Sequence, residues 1–231
     1  MKLVNDPNSP NYLDPALTAG GWYNWNPNGG SEPVTNVSAP GPSSFPYQLF
    51  FQWDDLFDQD HGITTSYNFL VFDQDGNYLP NLSGTSNAFA VQQPYQQTGN
   101  LSLGTNYQIA ITKTTQTDSK AGKIPQTHQL AIFTFLDGAS NLMGKYFNPN
   151  PPPVPNIFGH PAADSAIAVA AYAFNWKPAP PYQPLLDNYT SPGPVTIYFD
   201  PNGKRLSAPV TRLKPEVAGV DGVITTFFGP P

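Results

Sequence analysis

No cysteine occurs among the 231 residues, which excludes disulfides, thiolate metal sites and cysteine nucleophiles. Charge is scarce as well. Only 11% of residues are charged, and the balance of 16 Asp and Glu against 10 Lys and Arg leaves a net charge of −6. An acidic chain gains nothing from nucleic acid or from an anionic membrane surface, which argues against both as partners. No apolar run reaches the roughly 18 residues that a membrane-spanning helix requires. Met1-Lys2-Leu3-Val4-Asn5-Asp6 turns polar at once and has no apolar leader core, so either a leader has been removed or Met1 begins inside a longer chain. Histidine is limited to His61, His128 and His160.

Proline and glycine are abundant by contrast, at 28 and 19 residues. They punctuate the chain into short segments, which favours strands and ordered loops over helices. With 13% aromatic residues the chain can build a core, and its length suits one large domain or two small ones.

Strand patterning is clear in the middle of the chain. Tyr47-Gln48-Leu49-Phe50-Phe51-Gln52-Trp53 opens it, and Tyr67-Asn68-Phe69-Leu70-Val71-Phe72 follows. The second run turns at Asp73-Gln74-Asp75-Gly76-Asn77, where an Asp-Gly pair between apolar runs signals a hairpin. Thr105-Asn106-Tyr107-Gln108-Ile109-Ala110-Ile111-Thr112 alternates as a strand with one wet face should, and residues 130–136 supply another strand. Strands at this interval without a helical period point to an antiparallel β-sandwich. Further on, residues 166–174 form an unbroken apolar run. It reads as a strand buried on both faces, as in a parallel sheet, or as a buried helix segment because alanine favours helix.

Two groups of residues are candidate binding sites. Asp54, Asp55, Asp58 and Asp60 crowd one loop, and a calcium ion with its six to eight oxygen ligands would relieve their repulsion. The alternative is a solvated loop whose aspartates cap backbone amides. Trp22 and Trp25, set among Gly and Asn turns, could form a stacking platform for a sugar ring or could pin the N-terminal arm to the next domain.

The late part of the chain carries a resemblance. The apolar run, then Ser191-Pro192-Gly193-Pro194, then Lys214-Pro215-Glu216-Val217-Ala218-Gly219-Val220-Asp221-Gly222-Val223, then Thr225-Thr226-Phe227-Phe228-Gly229 resemble, in that order, the late core of a subtilisin-like serine peptidase. The run from Phe50 to Asp55, the Asp-Gly hairpin and the strand at residues 105–112 resemble the jelly-roll-like, pre-peptidase-type sandwich inserted in some of these enzymes. The chain departs from that pattern with Asn68-Phe69 where an Asp-Leu pair is usual.

This resemblance implies an extracellular, bacterial serine endopeptidase whose catalytic motifs lie outside these residues. None of the three histidines has the sequence context of the family's general base, and its full Gly-Thr-Ser-Ala-Ala-Ala-Pro-His nucleophile motif is not present. The expected fold is mainly β, an antiparallel jelly-roll-like sandwich followed by a partial α/β subtilase-type core. The expected domains are an irregular aromatic arm (1–44), the sandwich (45–147), a proline-rich linker (148–156) and the partial core (157–231). The expected function is that of a non-catalytic portion of the peptidase, partnered by the remainder of the enzyme or by copies of itself. The alternative is a stand-alone extracellular binding or self-assembling module that takes polysaccharide or protein.

Overall fold

The computed structural model describes residues 4, 6–41, 46–57, 62–115, 129–135, 157–174, 186–187 and 190–223. Its architecture is mainly β with antiparallel sheets, divided into two units, Met1–Pro149 and Asn150–Pro231. The proline-rich residues 148–156 lie outside the described residues.

In the first unit the short β1 (Thr35–Val37) precedes the long β2 (Pro46–Trp53). Alternation along β2 sends Tyr47, Leu49, Phe51 and Trp53 into the core. β3 (Tyr67–Asp73) ends in the expected turn, where the Asp73 carboxylate accepts from the backbone N–H of Asp75 and Asn77 and Gly76 takes a φ of 84°. A single-turn helix α1 (Ala88–Val91), the short β4 (Tyr95–Gln97) and β5 (Leu101–Ser102), β6 (Tyr107–Lys113) and β7 (Leu130–Phe135) complete the unit.

One edge of β2 is taken by β5 and then β4, and the other by β7, with Trp53 opposite Leu130. The second sheet runs β1-β6-β3, with Tyr67 opposite Lys113 and Asp73 opposite Tyr107. The sheets share one core. Phe51 of one lies 5.4 Å from Phe69 of the other, amid Leu49, Trp53, Val71, Ile109 and Ile111. Each such large apolar side chain contributes about 2–3 kcal/mol by leaving water.

The N-terminal arm forms a third layer. It continues the β1 edge of β6, where Gly20 N–H donates to the Lys113 carbonyl (2.8 Å) and Tyr23 N–H to that of Ile111 (2.8 Å). A Cβ on Gly20 would overlap the Lys113 carbonyl oxygen, so the approach requires glycine. Leu13 is buried against Leu70, Phe72, Tyr78 and Ala110 on the outer face of the sheet, with Leu17, Trp22 and Val34 around them. The wet face expected for the strand at residues 105–112 is therefore absent. Thr112 and Asn68, polar residues on that face, are buried because the arm answers them. The Thr112 hydroxyl and the Asn68 amide both donate to the Leu17 carbonyl, each at 2.7 Å.

The second unit contains β8 (Val169–Ala173), β9 (Val195–Phe199), β10 (Arg205–Arg212) and β11 (Val217–Asp221). β9 and β10 form an antiparallel hairpin whose turn is held by the Asp200 carboxylate, which accepts from Asn202 and Lys204 N–H. β8 and β11 pair in parallel, Val169 opposite Val217 and Ala173 opposite Asp221. Among the described residues this unit has a 3-10 turn (His160–Ala162) and no α-helix. The apolar run is a strand, as expected, but shorter and covered on one face only. Ala168 and Ala170 are buried, whereas Ile167 and Val169 are 73% and 63% exposed. Small alanines alternate with larger residues, so an unbroken apolar run still has one side that buries and one that does not.

Candidate functional site

The acidic loop begins where β2 ends. Asp55 is buried and takes donors from four groups: Trp53 Nε1–H at 3.2 Å, Thr64 N–H at 2.8 Å, the Thr64 hydroxyl at 3.0 Å and Thr65 N–H at 3.4 Å. Asp54 accepts from Gln129 N–H at 2.9 Å, which ties the loop to the start of β7. Both carboxylates thus answer protein donors. Asp58 and Asp60 of the proposed calcium set lie outside the described residues, and no group of three metal-ligating side chains occurs among the described ones.

Tyr67 lies beside this loop. Burial, followed by the charges of Asp55 and Asp54, pushes its hydroxyl up to about 12. Burial also raises Tyr47 and Tyr78. Because the folded chain holds these protons more tightly than the unfolded chain, their contribution is complete below pH 10 and is lost as pH rises through the folded values. Melting temperature is therefore expected to fall between about pH 10 and 12, in step with the 295 nm tyrosinate signal. A flat profile across that window would contradict the burial of these rings.

Trp22 and Trp25 are both half-buried. Trp22 packs on the outer core and Trp25 on the inner one, with Tyr23 edge-on to Trp25 at 5.3 Å and 44% exposed. The structure therefore uses both indoles to anchor the arm. His160 is exposed in its 3-10 turn, and His61 and His128 lie outside the described residues.

In the second unit a buried cation joins the paired strands. Lys214 Nζ donates to the Ala166 carbonyl and to Glu216 Oε1, while Glu216 Oε2 accepts from Ala168 N–H at 2.8 Å. The Lys214 bond, with help from the Ala168 N–H, holds the Glu216 carboxyl below its ordinary value. Gly193 lies against the same segment, where a Cβ would overlap the Lys214 carbonyl oxygen. The edge of β8 away from β11 is closed by Leu186, Asp187 and Thr190, through Asp187 N–H to the Ala171 carbonyl (2.9 Å) and the Thr190 hydroxyl on Ala171. A cleft of about 360 Å³ opens beside it, lined by Phe158, Pro161, Val169, Thr190 and Pro215. β11 leaves Val217 and Val220 about half exposed.

Sequence reasoning missed this Lys214-Glu216 clamp. Its one signal is a charged pair bracketing Pro215 immediately before an apolar strand. No protein-family profile, curated protein or solved structure matches the chain.

Proposed function

We propose that this chain is a non-catalytic portion of an extracellular subtilisin-like serine endopeptidase, contributing a β-sandwich and two strands of the core beneath the substrate cleft. The observation that carries this reading is the parallel, in-register pairing of β8 with β11. The two strands come from the separate segments whose residues resemble adjacent parts of that family's late core. Parallel strands are found almost only where layers cover both faces of the sheet. Here the faces bearing Ile167, Val169 and Val217 are open, so the reading assigns their cover to the remainder of the peptidase.

In such an enzyme a serine attacks the peptide carbonyl while a histidine takes its proton, and both would come from that remainder. The described residues of this chain supply framework. The Lys214-Glu216 clamp fixes where β8 and β11 begin relative to one another, and the sandwich adds a self-contained β unit.

Incubating the chain with casein and with a fluorophosphonate probe tests the non-catalytic assignment. No hydrolysis and no heat-sensitive serine labelling are expected. Specific labelling of a serine in the folded chain would overturn it.

A further inference from the structure

A solvent-open cleft of about 550 Å³ lies in the first unit between the β3 edge, α1 and β4. That volume sits within the roughly 300–1,000 Å³ typical of small-molecule sites. Its lining has no Asp, Glu, Lys, Arg or His, so nothing in it selects for a phosphate, a carboxylate or an amine. Hydroxyls and carboxamides dominate instead, with Tyr95 and Val91 as the large apolar contributors.

The floor of the cleft is rigid. Gln96 is buried, its amide nitrogen donates to the carbonyls of Tyr67 (2.8 Å) and Ser86 (2.6 Å), and its amide oxygen accepts from Ser86 N–H (3.1 Å). Tyr95 is stacked against Phe57, with ring centroids 6.3 Å apart and planes at 21°. The exposed side chains of Thr85, Ser86 and Gln97 make no hydrogen bond to the protein among the described residues. At the lip, Gln92 is the one non-glycine residue with positive φ among the described residues, at 53°. This conformation costs about 1–2 kcal/mol, and such strain gathers at binding sites. It turns the chain from Val91 into the Gln93–Tyr95 wall, and the Gln92 side chain fixes it through Phe89 O (2.8 Å) and Gly62 N–H (3.1 Å).

We propose that this cleft binds a neutral saccharide. Sugar hydroxyls both donate and accept, as do the Thr85 and Ser86 hydroxyls and the Gln97 carboxamide. A pyranose also presents a C–H face suited to an aromatic ring and an exposed valine. Extended peptide is the weaker match, because Gly84 already closes the β3 edge with both of its hydrogen bonds to Phe69. The assignment stands apart from the observation behind the peptidase reading, which is the pairing of β8 with β11 in the second unit.

Titration calorimetry and amide NMR on the whole chain test it, with cellotetraose, chitotetraose and maltotetraose as probes. Tetragalacturonate and tetra-alanine serve as charged and peptide controls. At least one neutral tetrasaccharide should bind at millimolar concentration or below and shift the amides of Thr85, Ser86 and Gln97. The exposed double variant Ser86→Ala, Gln97→Ala should keep its melting temperature and bind about tenfold or more weakly. Three results would each overturn the proposal: no binding by any neutral tetrasaccharide, equal binding by either control, or unchanged affinity in the double variant.

Discussion

Replacing Asn68 with Asp is expected to destabilise the first unit by about 3 kcal/mol and to loosen the N-terminal arm. Asn68 is buried, and its amide donates to the Leu17 carbonyl that Thr112 also serves. A carboxylate has no proton to give. It would face that carbonyl oxygen inside an apolar layer of Leu13, Leu70 and Phe72. Burial would raise the new carboxyl above its unfolded value, so the loss should be larger at pH 7 than at pH 4 and should shrink as pH falls through the raised value toward the unfolded one. Denaturant unfolding at pH 4 and pH 7, with limited proteolysis of residues 6–34, gives the readout. An unchanged midpoint at pH 7 would show that the arm does not depend on this donor. The arm needs a donor at this position, and Asn68 supplies it.

The second large effect concerns the solution state of the isolated chain. Val169 and Val217 lie opposite each other in the parallel pair, 63% and 51% exposed. Leu186, Asp187 and Thr190 close the far edge of β8, whereas β11 has no further strand beside it among the described residues. An apolar strand with an open edge is an adhesive surface. Purified alone, the chain is expected to associate, and Val169→Lys with Val217→Lys should convert it to a monodisperse monomer. Lysine at an edge disfavours pairing and adds charge to a chain that has little. Light scattering across a concentration series decides the matter. A wild-type chain that stays monomeric at high concentration would refute the adhesive role of this face.

The strands of the sandwich were legible in the sequence because their signals are local. Tyr47 to Trp53 alternates, the Asp75-Gly76 turn lies between apolar runs, and the observed β2, β3, β6 and β7 fall on those segments. The third layer was not legible. Its contacts join residues 51 and 95 positions apart in the chain, and no local pattern announces them. One trace does exist in hindsight. Phe69-Leu70-Val71-Phe72 is apolar at every position, which a strand with a wet face would not be. Residues 166–174 misled in the opposite direction, since alanine satisfies an apolar pattern without demanding cover. Asp54 and Asp55 read either as ion ligands or as caps of backbone amides, because spacing shows charge and hides donors. Trp53 Nε1, Thr64 and Gln129, which occupy those carboxylates, become visible only once the chain is folded.

The central claim is that this chain works as part of a larger serine peptidase. Its most direct test is the native protein, detected in the source culture with an antibody raised against the folded first unit. The account predicts an extracellular species heavier than 231 residues that a fluorophosphonate labels on a serine outside this chain. A native species of only these residues, unlabelled by the probe, would contradict it.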